Sequence, residues 1–290
     1  MWIVAVNPTA GKGNCLELSR EVISFLENYG ENARQIIAPN AQELSARLRE
    51  IIDLSRSEIK GVIAVGGDGL AHLILQIAVP AQVPFVIVPG GTGNDFARSL
   101  GWSPKNLQQL LRKIVSTSAK AIDLGNVDSE WFGAILSTGF DSVVNERANA
   151  LTWPKGPSRY NAAIALELPR FRAIEYELTL DSEKFSTEAM LIAVGNGQSY
   201  GAGMRICPLA KLDDGLFDVV ILEPVSTVEF VKVFPSVYAG KHINHPRVRT
   251  MRAKKVLIEG PTIAYADGER IGPAPVSAEC IAGAGLTWTL

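Results

Sequence analysis

Along the first third of the chain, short unbroken apolar runs alternate with longer stretches whose apolar residues recur every three or four positions. Ile3–Val6, Gln35–Ala38, Gly61–Val65 and Phe85–Val88 are the short runs. Apolar character over so few residues predicts strands buried on both faces. Cys15–Tyr29 puts Leu16, Val22, Ile23 and Leu26 at helical spacing and stops at Gly30; Ala41–Ser55 does the same with Leu44, Leu48, Ile51 and Ile52. Ala71–Ala78, Asp95–Leu100 and Leu107–Val115 complete the helical set. This alternation predicts a parallel sheet covered by helices.

The pattern changes near residue 122. Strand-like runs then follow one another at Ile122–Val127, Trp131–Thr138, Tyr176–Asp181, Met190–Val194, Phe217–Leu222, Val256–Ile258 and Ile263–Tyr265, interrupted by helix-like Ser158–Leu168 and Val228–Tyr238. The expected fold class is therefore an α/β N-terminal domain with a parallel sheet, residues 1–123, plus a C-terminal β-rich, sandwich-like domain, residues 124–278, and a last segment, 279–290.

Composition narrows the function classes. The 290 residues carry 28 Lys+Arg against 30 Asp+Glu, a net charge of −2, which excludes coating nucleic acid by bulk charge. Three scattered cysteines, Cys15, Cys207 and Cys280, make neither a disulfide framework nor a zinc pair and suit a reducing, cytoplasmic setting. No run approaches the ~20 apolar residues of a spanning helix, and the N-terminus lacks the basic region of a signal peptide.

Candidate chemistry lies in glycine-rich turns after three strands. Asn7-Pro8-Thr9-Ala10-Gly11-Lys12-Gly13 is a strand-to-helix turn without Walker A spacing. Gly66-Gly67-Asp68-Gly69 follows the Gly61–Val65 run and places Asp68 at a carboxyl end of the sheet, where open α/β sheets bind ligands. Pro89-Gly90-Gly91-Thr92-Gly93-Asn94-Asp95-Phe96-Ala97-Arg98 follows Phe85–Val88. Each alone also has a capped-helix reading; together, at the ends of three of the four strands, they point to a phosphate site.

In order, these motifs resemble the catalytic domain of the diacylglycerol kinase-type lipid kinases, a family that includes sphingosine and ceramide kinases and is distantly related to NAD kinases and phosphofructokinases. Gly195-Asn196-Gly197 through Met204, Asp213-Asp214-Gly215-Leu216-Phe217-Asp218 and Asp267-Gly268-Glu269 extend the likeness to residue 269. The resemblance implies two domains with ATP and lipid meeting in the cleft between them, and a C-terminal segment returning toward the first domain. It implies nucleotide contacts from Asn7, Pro8, Thr9, Ala10 and Gly11, from Gly66, Gly67, Asp68, Gly69 and Leu70, and from Thr92 and Asn94. Asp68 and Asp95 would organise Mg²⁺ or a proton network. The base that takes the lipid hydroxyl's proton would be Asp267, with Glu269 its close competitor. A structural Mg²⁺ would sit on Asp214 and the carbonyls of Lys211 and Leu216.

The chain departs from the family after Gly-Gly-Asp-Gly, where Leu70, Ala71, His72 and Leu73 replace a hydroxyl and a carboxylate common among relatives. Ala38 or Pro39 falls where relatives often have a nucleotide-contacting Thr. His72 reads as a structural hydrogen-bonding residue. Lys241, Arg247, Arg249, Arg252, Lys254 and Lys255 form a basic run without acids, either a patch for anionic headgroups or a solvated face. His242 and His245 within it lack zinc partners. Trp153-Pro154-Lys155-Gly156-Pro157 is a stiff loop that could anchor at an interface. The expected activity is an ATP- and Mg-dependent lipid kinase, peripherally membrane-associated, with no nucleic-acid partner; a homodimer stays open. The alternatives are an NAD kinase-like enzyme and a catalytically weak lipid- or nucleotide-binding regulator.

Overall fold

The computed structural model describes residues 1–8, 14–153 and 157–290. Its first sheet is parallel, formed by β1 (Trp2–Val6), β2 (Ala33–Ile37), β3 (Gly61–Gly66) and β4 (Phe85–Pro89) in the order β2-β1-β3-β4. β1, β3 and β4 are buried along their whole length, as their unbroken apolar runs require. The helices are α1 (Asn14–Asn28), α2 (Ala41–Ser55), α3 (Asp68–Ala78), α4 (Asp95–Ser99) and α5 (Leu107–Ser116). Leu44, Leu48, Ile51 and Ile52 are the buried face of α2, and the Asn40 side chain caps it by accepting from the Glu43 amide at 2.8 Å, a bond worth about 1 kcal/mol. Right-handed crossovers put α1 and α2 on opposite faces, because the chain reverses direction after β2. The switch point therefore falls between β1 and β3, whose carboxyl ends carry the first two glycine loops.

Beyond β5 (Lys120–Val127) the strands are antiparallel and form two sheets. One runs β12 (Val248–Ala253), β11 (Phe217–Leu222), β10 (Leu191–Gly195), β7 (Ile135–Gly139), β14 (Ile263–Ala266), β15 (Glu269–Pro273). The other runs β6 (Glu130–Phe132), β5, β16 (Val276–Thr287), β13 (Lys255–Glu259), β8 (Ile174–Leu180), β9 (Glu183–Ala189). Their inner faces share one core, with Phe132 stacked on Phe217 at 5.6 Å. A third apolar cluster joins α6 (Phe140–Ala150), α7 (Pro157–Glu167) and α8 (Thr227–Val237): Phe140 meets Phe171 and Phe230 edge-on at 5.3 and 5.1 Å.

The end of β16 is tied to the first sheet. Thr287 donates to the Phe85 carbonyl and the Trp102 indole to the Trp288 carbonyl, both at 2.6 Å; Trp2 and Trp288 pack at 5.6 Å. Asp123 on β5 accepts the amides of Gly215 and Gly283 at 2.6 and 2.9 Å.

Several elements differ from the sequence reading. Trp131–Thr138 is two strands, β6 and β7, not one. α6, β9, β12, β15 and β16 were not expected. β9 is an edge strand with mostly solvent-facing side chains, and β16 is rich in small residues; pairing with β5 and β13 makes it a strand, not its own propensity.

Candidate active site

The two loops after β3 and β4 lie backbone against backbone. The Gly90 amide donates to the Gly66 carbonyl at 2.8 Å, and a Cβ on Gly91 would stand 2.4 Å from the Gly67 Cα. No side chain fits there, which is the physical reason for paired glycines. Asp68 reaches across and accepts the amides of Asn94 and Asp95 at 2.7 Å each, and a Cβ on Gly93 would meet its Oδ2 at 2.3 Å. Asn94 has φ +56° and spends its side chain on Gly91, accepting from the amide at 2.9 Å and donating to the carbonyl at 2.8 Å. Its side chain clamps the turn.

Asp95 is buried and joins the two parts of the chain. It accepts the amides of Ala202 and Gly203 at 2.8 Å each and the Arg98 guanidinium at 2.6 Å. Arg98 also donates to the Gly93 carbonyl at 3.0 Å and stays half exposed. Nothing in the sequence singled it out, although it closes the same decapeptide.

The two carboxylates of Asp267-Gly268-Glu269 have different surroundings. Asp267, with φ +52°, accepts the amides of Gly133, Ala134 and Ile135 at 2.7, 2.8 and 3.1 Å. Desolvation pushes its pKa up, against the pull of His72 and those amides. Glu269 is exposed, and its Oε1 lies 3.2 Å from where a Cβ on Gly69 would be. Asp267 thus spends its oxygens on three amides, whereas Glu269 lies beside the Gly-Gly-Asp-Gly loop. Asp68 is also pushed up, first by burial, then by Asp95 and, less, Asp267. Among the described residues no cation contacts it, and this acidic surplus fits a cation.

The other expected contacts are distributed as follows. Thr92 is exposed at the mouth. Leu70 is buried with its side chain against Gly66, so only its backbone could face a ligand. Asn7 and Pro8 end β1 beside β3, with the Asn7 amide on the Val65 carbonyl at 3.4 Å. Thr9, Ala10 and Gly11 lie outside the described residues. His72 is buried, 2.9 Å from Glu130.

Lys211, Asp214 and Leu216 share one turn, but the Asp214 carboxylate is already engaged. One oxygen contacts the Arg252 guanidinium; the other accepts the Leu216 amide at 3.3 Å. Arg252 also reaches Asp218 at 3.8 Å. Among the described residues no cluster of three His, Cys, Asp or Glu could hold a metal, so the donor set as it stands does not fit a resident cation there.

The basic run is largely neutralised. Arg247 pairs with Glu223 at 3.7 Å, Lys254 and Lys255 with Glu279 at 3.5 and 3.2 Å, and Arg249 lies over the Phe185 ring at 5.1 Å. His242 is buried and donates to the Ile206 carbonyl at 2.9 Å; His245 stands 3.4 Å from Glu229. Arg247, Arg252, Lys254 and Lys255 are thus ion-paired, and Lys241 and Arg249 have no acid partner among the described residues. No helix among the described residues is long and apolar enough to cross a membrane. Of the expected interfacial loop, Trp153 is exposed, and Pro154, Lys155 and Gly156 lie outside the described residues.

Comparison with known proteins agrees with this geometry. Residues 1–127 match the diacylglycerol kinase catalytic domain, and residues 134–286 the YegS C-terminal NAD kinase beta sandwich-like domain. A diacylglycerol kinase of Mycobacterium tuberculosis is 34% identical over 285 residues, covering 96% of this chain and 91% of that one. One of Bacillus subtilis is 26% identical over 258 residues, covering 88% and 84%. A crystal structure of a Bacillus anthracis diacylglycerol kinase superposes with a TM-score of 0.73 at 20% identity over 100% of this chain and 96% of that one, which shows a shared fold. Glycine loops at a sheet switch point, locked by carboxylates to a β-sandwich, define a kinase of the lipid-kinase class. The chain belongs to the bacterial diacylglycerol kinase family.

Proposed function

We propose that this chain transfers the γ-phosphate of ATP, with Mg²⁺, to the free hydroxyl of diacylglycerol at a membrane surface. The names of its relatives support the substrate class. Exposed apolar side chains near the α6–α8 cluster, Trp153, Val231 and Tyr238, support contact with lipid. The observation that carries the reading is the Glu269 carboxylate, delivered by β15 to the glycine loop at the end of β3.

In this reading the backbone of Gly66–Gly69 and Gly90–Gly93 lies against the phosphates, since no side chain keeps them away. When bound with the nucleotide, Mg²⁺ would neutralise phosphate oxygens, and Asp68 would hold it. Arg98 adds positive charge beside the transferred group. Phosphoryl transfer asks the protein mainly for positioning and charge neutralisation. Glu269 takes the hydroxyl's proton as its oxygen bonds to the γ-phosphorus and the bond to the bridging oxygen breaks, releasing ADP, while Asp267 fixes the turn carrying Glu269.

The test is labelled ATP with mixed micelles of a lipid panel. A phosphorylated lipid, with diacylglycerol the best acceptor, is expected. Failure with every lipid alongside phosphorylation of NAD would overturn the reading. One observation favours a second reading: Leu70 and Leu73 leave the loop without the relatives' hydroxyl and carboxylate. Binding of ATP and lipid without turnover would identify a regulator.

A further inference from the structure

Asp141 takes no part in the chemistry above, yet it is the most anomalous carboxylate among the described residues. It lies in the first turn of α6, only 9% exposed, and neither oxygen has a hydrogen-bond partner of good geometry. Ser137 and the Ser142 amide lie close enough to pull on its charge, but burial outweighs them. The backbone that aims it is specific. Gly139 has φ +99°, and a Cβ there would stand 2.5 Å from the Met190 carbonyl. A buried polar group left in this state in a folded chain calls for an explanation.

Its surroundings suggest one. Apolar residues of the α6–α7–α8 cluster flank it in sequence and space, Phe140 and Val144 among them. Three phenols feel its charge, and each is pushed up, first by desolvation: Tyr160 on α7, itself partly open to solvent, Tyr176 on β8 and Tyr200 after β10. Tyr200 also feels Asp95, and two residues later the chain gives its Ala202 and Gly203 amides to Asp95. Asp141 thus sits in the first turn of a helix of the apolar cluster, and Tyr200 feels both its charge and that of Asp95. On its own helix Glu146 is bonded to Tyr265 and Arg270, which hold it below the usual range. Burial lifts Asp141 itself to about 7, so near neutrality its carboxyl is a donor for much of the time.

We propose that Asp141, as a protonated carboxyl, donates a hydrogen bond to an ester carbonyl of the acceptor lipid and so selects glycerol esters. The proposal rests on the lipid-kinase reading above. Apart from its reacting hydroxyl, a diacylglycerol offers only acceptors, and the unpartnered buried carboxyl supplies the missing donor. A dialkylglycerol has the same hydroxyl and no ester carbonyl, and gains nothing from Asp141. Asp141 is a positioning residue: it changes binding and leaves the transfer step to Glu269.

The experiment compares wild type, D141N and D141A on dioctanoylglycerol and dioctylglycerol in mixed micelles from pH 6 to 8. Wild-type KM for the diester should rise about tenfold over that range as the donor fraction falls from roughly nine-tenths to one-tenth. D141N keeps a donor, and its KM should stay low and flat. D141A should have a high, flat KM. kcat should be alike in all three, and the diether should not distinguish them. A wild-type KM in D141A, a D141N protein as weak as D141A, or equal discrimination with the diether would each overturn the proposal. A purely structural role would move the melting temperature and leave KM alone. Binding of dioctanoylglycerol, followed by tryptophan fluorescence, reads the same ranking without turnover. An inactive wild type that still shows the ranking would sink the kinase reading and not this one.

Discussion

The division of labour between Asp267 and Glu269 can be tested by contrasting stability with turnover. Asp267→Asn is nearly isosteric. Its Oδ1 can still accept from Ala134 and Ile135, but its NH₂ now faces the Gly133 amide, and two donors cannot satisfy each other. One charge-assisted bond is lost and one half-buried amide is stranded, a cost of about 2 kcal/mol. Asp267→Ala strands all three amides and should cost at least about twice that. Glu269→Gln changes an exposed side chain, so its effect on stability should stay within about 0.5 kcal/mol. Removal of a general base lowers kcat by roughly 10²–10⁴-fold. The expected pattern is a shifted urea midpoint with modest loss of kcat for D267N, and an unshifted midpoint with collapsed kcat and retained ATP binding for E269Q. A D267N protein of wild-type stability that has lost turnover, beside an active E269Q, would refute the assignment.

Gly91→Ala should abolish nucleotide binding at little cost in helix content, because its methyl would sit 2.4 Å from the Gly67 Cα and backbone cannot yield there; isothermal titration with ATP checks it. Lys254→Ser with Lys255→Ser should leave binding to anionic vesicles within twofold of wild type, because both lysines already face Glu279; a large drop in a sedimentation assay would restore the basic patch. Trp102→Phe keeps the packing but removes the indole bond to the Trp288 carbonyl, and should lower stability by about 1 kcal/mol in urea unfolding.

The parallel sheet was legible because burial on both faces leaves a local trace: β1, β3 and β4 are runs of Val, Ile, Ala and Phe between glycines and prolines. The glycine loops were legible for the same reason, since backbone contact between Gly67 and Gly91 excludes any other residue at the point of contact. What the sequence hid was partnership across long separations. Asp267 and Glu269 are equivalent as letters, and only the fold shows that three amides from 133–135 consume one of them. The basic run looked unpaired because its acids, Asp214, Glu223 and Glu279, come from other segments. α6 was missed although Phe140, Val144 and Ala148 stand one helical turn apart, because it follows a strand directly and starts at Gly139 with no side-chain cap to mark it.

The same Asp141 that is proposed to read the lipid should also leave a signature in the stability of the free protein. Its carboxyl titrates at about 7 in the fold against an ordinary value of 3.8. The native state therefore holds a proton that the unfolded state has released, and between these values stability falls as pH rises. A rise of that size corresponds to about 4 kcal/mol of destabilisation above pH 7, of which roughly 2.5 kcal/mol develops between pH 5 and 8. Asp141→Asn has no such proton to lose. In urea unfolding the gap between D141N and wild type should therefore widen in favour of D141N most steeply between about pH 5 and 7, and level off above pH 7, where the carboxyl is ionised in both folded and unfolded states. Curves that run parallel from pH 5 to 8 would mean that Asp141 finds a partner or water in solution. They would also remove the neutral carboxyl on which ester recognition depends.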